Sequence, residues 1–511
     1  MLKHYFITAV RILFRNKFYT LINLLGLCLG FTFSFLLLIY VLNEQSYDKD
    51  QVNRERTFRI LESHKDFGWT QPGAPNIMAQ SIKNDFPEVE KAAPTVRFIN
   101  VSYSNGIQKF PIRIIGSTPD IFDIFNFTIL EGNKVDFLKE PNDLIISRTT
   151  ADLLFPGKKV LGQSLTLSVD GKVEIFTIKG IFQDLPWNSS VEFKAIGHIS
   201  WSIRWLNKGS REDANTSWNM DYFSIYLLLH TGASAEKLQN NLVKYEKLKL
   251  PSKVKFRLQS IKEFYLGSAE IVNNRTKIGN PKMIRLMAAI SFIILLIASI
   301  NYILLSSART MNRYKEIAVR IVAGASPRTI RCQFLGESVL LSVIAYILSI
   351  LISINIISLV NSSFHQNMHF SLSDNFSYLL FFLLISILVG LISGSYVAFY
   401  YSGLKPVLAF SRLGGLKPGK PSVWKVLLIV QMVLFIGLIL ITTAIGRQIT
   451  YLKTSDMGFD SKGLMYVYLE DNEMKQYHAI LNELDKDPNI LNAAGGDDLP
   501  PTNNRGVDIL E

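Results

Sequence analysis

Two stretches of this 511-residue chain hold residue types whose spacing could do chemistry. Gly414-Gly415-Leu416-Lys417-Pro418-Gly419-Lys420-Pro421 meets the G-x-x-x-x-G-K spacing, in which backbone N–H groups cradle phosphates and a lysine reaches them. Pro421 stands where a Ser/Thr hydroxyl would hold Mg²⁺, and no strand precedes the string, so it reads as a basic linker. His365-Gln366-Asn367-Met368-His369 spaces two histidines as a zinc protease helix does. Gln366 replaces the general-base glutamate there, and the segment is a short loop between apolar runs. No G-x-S-x-G elbow occurs. The sequence therefore assigns no catalytic, cofactor-binding or metal-ligating set. Cys28 and Cys332 are the two cysteines, so the large polar region between the first two apolar runs folds without disulfides.

The positions that must hold any working surface are instead basic and helical. Arg309 to Arg331 carries six Lys/Arg and one acid, Glu316, between two long apolar runs. A short basic segment pinned between membrane spans belongs on the cytoplasmic side. Within it Tyr314, Ile317, Ala318 and Ile321 fall at i, i+3, i+4 and i+7, one face of a helix. Glu316 and Arg320 form an i,i+4 pair on another face, and Gly324 is a helix stop. Ser326-Pro327 reads as an N-cap with proline at the first helical position. On composition alone the same segment also fits a solvated loop whose charges set topology.

The run from Ser299 to Ser342 resembles the signature region of FtsX/MacB-type ABC transporter permeases. The motif positions are Lys315, Glu316, Ile317, Ala318 and Arg320, then Gly324, Ala325 and Ser326, then Gln333, Phe334, Leu335, Glu337 and Ser338. The resemblance implies that this segment contacts a cytosolic ATPase. Tyr314, Lys315, Glu316, Ile317, Ala318, Arg320, Ile321, Gly324 and Ala325 are then the expected coupling residues.

Five apolar runs free of Asp, Glu, Lys and Arg are long enough to span about 30 Å of hydrocarbon: 18–42, 286–308, most of 332–361, 376–402 and 426–446. Residues 1–17 fit an interfacial amphipathic helix. The loop between the third and fourth runs has no Lys or Arg, whereas 403–425 has five and no acid. The positive-inside rule then puts the N-terminus, 309–331 and 403–425 inside, and 43–281 and 447–511 outside. Much of the net charge of +12 lies in these flanks, so it points to membrane topology and not to nucleic acid.

Residues 43–281 contain two similar units. The first is a strand near Thr57–Glu62, a helix near Ala74–Asp85 and a strand near Ala92–Ser104. The second is a strand near Tyr222–His230, a helix from Ser234 to about Leu248 and a strand near Lys253–Ser260. Sharing one sheet, they would form an α+β layer. A hairpin turning at Asp170-Gly171 lies between them. The intervening segments resemble the MacB periplasmic domain, which implies a lobe made by the two ends and a second lobe inserted between them. Phe86 to Ala93 matches Asp487 to Ala494 at an offset of about 400 residues, the mark of a duplicated large module. The chain is expected to stop at Glu511 inside an incomplete second outer domain. A strand near Leu464–Leu469 and a helix near Glu473–Lys486 would open that copy.

The expected fold class is an α-helical transmembrane bundle of about five spans with a large extracytoplasmic α+β domain of MacB type and the start of a second. Ion-coupled transporters place ionisable residues inside the bundle, and these runs have none, so energy must come from elsewhere. The resemblance implies a non-enzymatic permease subunit of the bacterial inner membrane, with ATP-Mg bound by a partner. The expected partners are a dimeric cytosolic ABC ATPase, the lipid bilayer, and a periplasmic adaptor or second permease module. A rival reading is a membrane-anchored sensor with 43–281 as ligand-binding domain; co-purification with an ABC ATPase separates the two.

Overall fold

The structure is a computed structural model. It describes residues 17–64, 66, 68–98, 101–104, 109–169, 172–208, 210–248, 254–312, 319, 321–323, 326–364, 368, 370, 376–402, 423–455, 463–465, 467 and 476–495. The expected interfacial helix before Lys17, the Gly414–Pro421 string, His365, Gln366, Asn367 and His369, and the Asp170-Gly171 turn lie outside these residues. The chain divides into two units, one of long helices (residues 1–49, 265–269 and 278–458) and one sheet-rich (residues 50–264, 270–277 and 459–511).

In the helical unit, α1 (Lys17–Ser46), α8 (Pro281–Asn312), α9 (Pro327–Phe364), α10 (Phe376–Ser402) and α11 (Val423–Thr454) are long and apolar enough to cross a membrane. Lipid tails are as apolar as leucine, so such helices associate through close packing and hydrogen bonds rather than through exclusion from water. The α1–α8 contact shows both. A Cβ on Gly30 would lie 2.5 Å from the Ala298 Cβ, so the backbones approach where neither side chain intervenes. Beside it the Ser34 and Ser291 hydroxyls are 2.7 Å apart, and Ser291 Oγ donates to the Ser34 carbonyl at 3.1 Å. Leu27, Cys28, Phe31, Tyr302, Leu341, Ala345 and Val389 close a core among α1, α8, α9 and α10. In contrast, α11 leaves Ile429, Val433 and Leu440 at least 60% exposed, a surface suited to lipid.

Among the described residues, the sheet-rich unit has thirteen strands. The strands are β1 (Thr57–His64), β2 (Trp69–Gln71), β3 (Val89–Arg97), β4 (Val101–Ser104), β5 (Lys109–Pro111), β6 (Ile114–Ser117), β7 (Ile129–Gly132), β8 (Asp143–Ser147), β9 (Ser164–Val169), β10 (Lys172–Phe182), β11 (Ala195–His198), β12 (Ser224–Leu229) and β13 (Val254–Ser260). Their order is β13-β1-β12-β3-β6-β11-β8-β10-β9-β4-β5, with β2 on β1 and β7 on β10. The two terminal units thus share one sheet by interleaving, since β1 lies between β13 and β12, and β12 between β1 and β3. Alternation along β12 explains the burial of both faces. Ile225, Leu227 and Leu229 point to one core, under α2 (Asn76–Asp85), α6 (Ala235–Asn241) and α7 (Val243–Glu246), while Tyr226 and Leu228 point to another with Phe125 and Phe264. The inserted strands have their own core of Ile114, Leu144, Ile146, Leu167, Phe176 and Ile178.

Three local expectations change. The helix expected over Ser234–Leu248 is two short helices, α6 and α7, broken at Leu242. The strand expected near Ala92–Ser104 ends at Arg97, and Val101 opens a separate strand that pairs with β9. In the later copy, none of the described residues Leu464, Met465 and Val467 is in a strand. The two segments matched in sequence each hold a turn of the same kind. α2 ends in a turn where Val89 N–H donates to the Phe86 carbonyl at 3.1 Å. The helix Tyr477–Leu484 is capped at Asp485, and beyond it Ile490 N–H donates to the Asp487 carbonyl at 3.0 Å.

Candidate coupling surface

The end of the helical unit that holds the basic stretch is built around the start of α9. Ser326 Oγ accepts the Thr329 N–H at 3.3 Å and Pro327 is the first helical residue, so the cap satisfies a donor that the helix start leaves open. Two residues into the helix proper the chain is still basic, but Ile330 and Phe334 at i and i+4 share one face. Both are buried, with Ala398 of α10, and Ile321 and Leu335 pack against them. Ile321 is half-buried, whereas its neighbours Val319 and Val322 are 55% and 69% exposed. This gives a small apolar pad, buried at Ile330, Phe334 and Ala398 and flanked in the chain by the exposed Val319 and Val322. Arg331 lies over the Phe399 ring at 5.1 Å, a cation–π contact that ties α9 to α10.

The pad stands on a tightly fixed helix pair. A Cβ on Gly390 would come within 2.8 Å of the Val339 Cα, and one on Gly394 within 2.7 Å of Ser338 Oγ, so α10 meets α9 backbone to backbone. Ser342 Oγ donates to the Ser386 carbonyl at 2.6 Å, and Tyr302 of α8 donates to Ser338 Oγ at 3.0 Å. Glu337 is 7% exposed and accepts from Gln333 Nε2 at 3.0 Å. The helix therefore buries an acid directly before the uncharged run that starts at Ser338. The reading of charge-free spans holds for the runs themselves and not for the whole helices that contain them.

Of the expected coupling residues, Ile321 stands on the pad. Tyr314, Lys315, Glu316, Ile317, Ala318, Arg320, Gly324 and Ala325 lie outside the described residues. Phe334, Leu335, Glu337 and Ser338, which carry the sequence resemblance, all take part in the pad or its support. Ile330 and Ala398 belong to this cluster and are not among the expected coupling residues. Ile330 had a signal in its spacing from Phe334, whereas Ala398 is distant in sequence and looks like any small residue of an apolar run.

Comparison with known proteins places both units. Residues 20–245 match the family model described as the MacB-like periplasmic core domain, and residues 288–406 match the FtsX-like permease C-terminal model. "Macrolide export ATP-binding/permease protein MacB" of Haemophilus ducreyi is 25% identical over 272 residues, 50% of this chain and 34% of that protein. The MacB protein of Salmonella typhi is 23% identical, covering 64% of this chain and 49% of that protein. The chain thus spans between a third and a half of the length of these relatives. An uncharacterised ABC transporter permease, YvrN of Bacillus subtilis, is 22% identical over 68% of this chain and 85% of its own. Among solved structures, the periplasmic region of MacB from Actinobacillus actinomycetemcomitans is 13% identical, covers 42% of this chain and 93% of its own, and has a TM-score of 0.31. A domain of a permease protein from Porphyromonas gingivalis is 20% identical, covers 47% of this chain and 99% of its own, and has a TM-score of 0.35. The second match, residues 288–406, encloses the basic stretch, the pad and the helix pair beneath it.

Proposed function

Since the chain belongs to the FtsX/MacB-type permeases, we propose that it is the membrane subunit of an ABC transporter, coupling ATP hydrolysis by a partner to movement of its extracytoplasmic domain. Export or extraction of a substrate is the work this would do. The carrying observation is that Ile321 is anchored on the buried cluster of Ile330, Phe334 and Ala398 while its neighbours Val319 and Val322 stay exposed, on a helix pair locked by Gly390 and Gly394. Val319 and Val322, the neighbours of Ile321, stay 55% and 69% exposed, and exposed apolar residues in a basic segment suit a protein partner. A helix pair in backbone contact passes on a displacement at one end because packed interiors are not continuously deformable. The MacB relatives are named for ATP binding and permease activity together. In this reading the ATPase that holds ATP-Mg is a separate cytosolic subunit, docked as a dimer, and 309–331 faces it. The large sheet-rich unit is then periplasmic and the membrane is the bacterial inner membrane.

The test is co-purification. The full chain, solubilised in detergent, is expected to retain the ABC ATPase encoded with it, and the ATPase rate of the complex is expected to differ from that of the ATPase alone. A chain that retains no ATPase, yet binds a ligand through its outer domain, supports the sensor reading instead.

A further inference from the structure

Among the described residues of the sheet-rich unit, one cluster brings together three ligand-type side chains. Glu62 and His64 are two residues apart on β1, so both point to the same face of the sheet. Asp221, in the segment entering β12, joins them. The donor atoms of the three lie within 4.8 Å of one another, and His64 Nε2 is 3.4 Å from Glu62 Oε1. Glu62 is fully buried.

The surroundings are arranged for this convergence. β2 pairs with β1 so that Gln71 stands opposite Glu62 and Trp69 opposite His64. Gln71 Nε2 donates to Glu62 Oε2 at 3.4 Å, and Asn273 Nδ2 donates to Gln71 Oε1 at 3.2 Å, which sets which way the Gln71 amide points. The Trp69 ring lies 3.9 Å from the His64 ring and fixes the imidazole plane. Gly73 makes room for the third group. A Cβ there would sit 2.8 Å from both the Asp221 carbonyl oxygen and Gln71 Nε2, so any other residue would push Asp221 away.

We propose that Glu62, His64 and Asp221 form a divalent transition-metal site that takes Zn²⁺. One cation at about 2.0–2.4 Å from each donor atom spans any pair of them. One imidazole with two carboxylates suits zinc, whereas calcium takes oxygen ligands and makes no use of His64. The Asn273–Gln71–Glu62 chain is the outer set of hydrogen bonds that such ligands require. Bound there, zinc ties β1 to the segment that enters β12, and so joins the two halves of the domain that lie far apart in sequence.

The test uses the full chain in detergent, stripped with a chelator, then titrated with ZnCl₂ by calorimetry and melted with and without it. The parent is expected to bind one zinc ion per chain and, at a hundredfold excess over Kd, to melt roughly 5–10 °C higher. His64→Gln and Asp221→Asn are expected to lose the zinc-dependent rise. Gln71→Leu, which touches no metal, is expected to weaken binding roughly 10–100-fold. Each variant is compared with itself, with and without zinc, so a change in basal stability does not confuse the reading. The double variant His365→Ala/His369→Ala is expected to behave as the parent. The proposal is overturned if the parent binds no zinc, if His64→Gln and Asp221→Asn bind it like the parent, or if the signal disappears in the His365/His369 variant. An equal rise with calcium also overturns it, because His64 would then not be a ligand.

Discussion

The rings of Tyr47 and Tyr265 stack face to face, with centroids 3.6 Å apart and planes 2° from parallel, and the Tyr265 hydroxyl donates to Glu44 Oε2 at 2.8 Å. Both residues belong to the helical unit. Tyr47 follows the end of α1, and Tyr265 stands on the connector that leads to α8. The sheet-rich unit begins at Asp50, just after the first, and its long middle segment ends at Phe264, just before the second; residues 270–277 belong to it again. Burial, and then the hydrogen bond to Glu44, hold the Tyr265 phenol well above its ordinary range, so it stays a donor at any physiological pH.

This contact within the helical unit has a predicted ranking. Tyr265→Phe keeps the stack and loses one hydrogen bond, a change of about 1 kcal/mol. Tyr265→Ala loses both and leaves a cavity, a change of about 3–5 kcal/mol. Melting in detergent is expected to follow parent, Phe, Ala in descending order, with partner binding kept and transport activity lowest for Ala. Equal destabilisation by Phe and Ala would show that the hydrogen bond alone holds this contact.

The α1–α8 crossing offers a second test. Gly30→Val places a side chain where a Cβ already meets Ala298 at 2.5 Å, and is expected to destabilise the helical unit by about 1–3 kcal/mol. Gly437→Ala on α11 meets nothing within 4 Å and is expected to be neutral or slightly stabilising. Thermal melts of the two purified variants check this. Similar loss in both would mean that the close approach at Gly30 does not hold α1 to α8.

His198 sets a pH dependence. Its Nδ1 accepts the Ser200 N–H at 3.2 Å and lies 2.8 Å from Ser200 Oγ, an arrangement that needs a bare Nδ1. Burial lowers its pKa; Arg204 adds to this, while Asp143 and Glu140 oppose it. A depressed pKa means that the unfolded chain binds more protons, so stability rises with pH. The contribution is complete above the unfolded value of about 6.5 and is lost as pH falls through the lower folded value. Melting temperature measured from pH 7.5 to 5 is expected to fall more steeply for the parent than for His198→Gln. A parent that gains on the variant as pH falls would reverse the sign.

The coupling surface predicts a separation of folding from binding. Glu316→Lys reverses the one acid in the basic stretch, and an exposed i,i+4 pair contributes only about 0.3–0.5 kcal/mol, so membrane expression is expected to be normal. A charge buried against a partner is different: leaving it unpaired weakens association by roughly 2–5 kcal/mol. Glu316→Lys and Ile317→Asp are therefore expected to abolish ATPase pull-down. Ile321→Asp, which puts a charge against Ile330 and Phe334, is expected to lower expression as well. Wild-type pull-down by Glu316→Lys and Ile317→Asp would reduce 309–331 to a topology signal.

Local physics made much of this protein legible in its sequence. Runs of more than twenty uncharged apolar residues become long helices because every backbone polar group in a membrane must be satisfied within its own segment. The Ser326-Pro327 helix start, the strand near Tyr222–His230 and the match of Phe86–Ala93 to Asp487–Ala494 are equally local, and each reads directly from residue type and spacing. The tertiary structure decided what depends on partners far along the chain. It interleaves β12 and β13 with β1 and β3, because a strand that is apolar on both faces needs neighbours on both edges and cores above and below. It splits the helix expected over Ser234–Leu248 in order to seat Leu238, Leu242 and Tyr245 in one core. It joins Ala398 to Ile330, Tyr265 to Glu44, and Asp221 to Glu62 and His64. The Glu62/His64 spacing was visible but commonplace. Its third group lies across the domain, and a contact made by folding leaves no mark in local spacing.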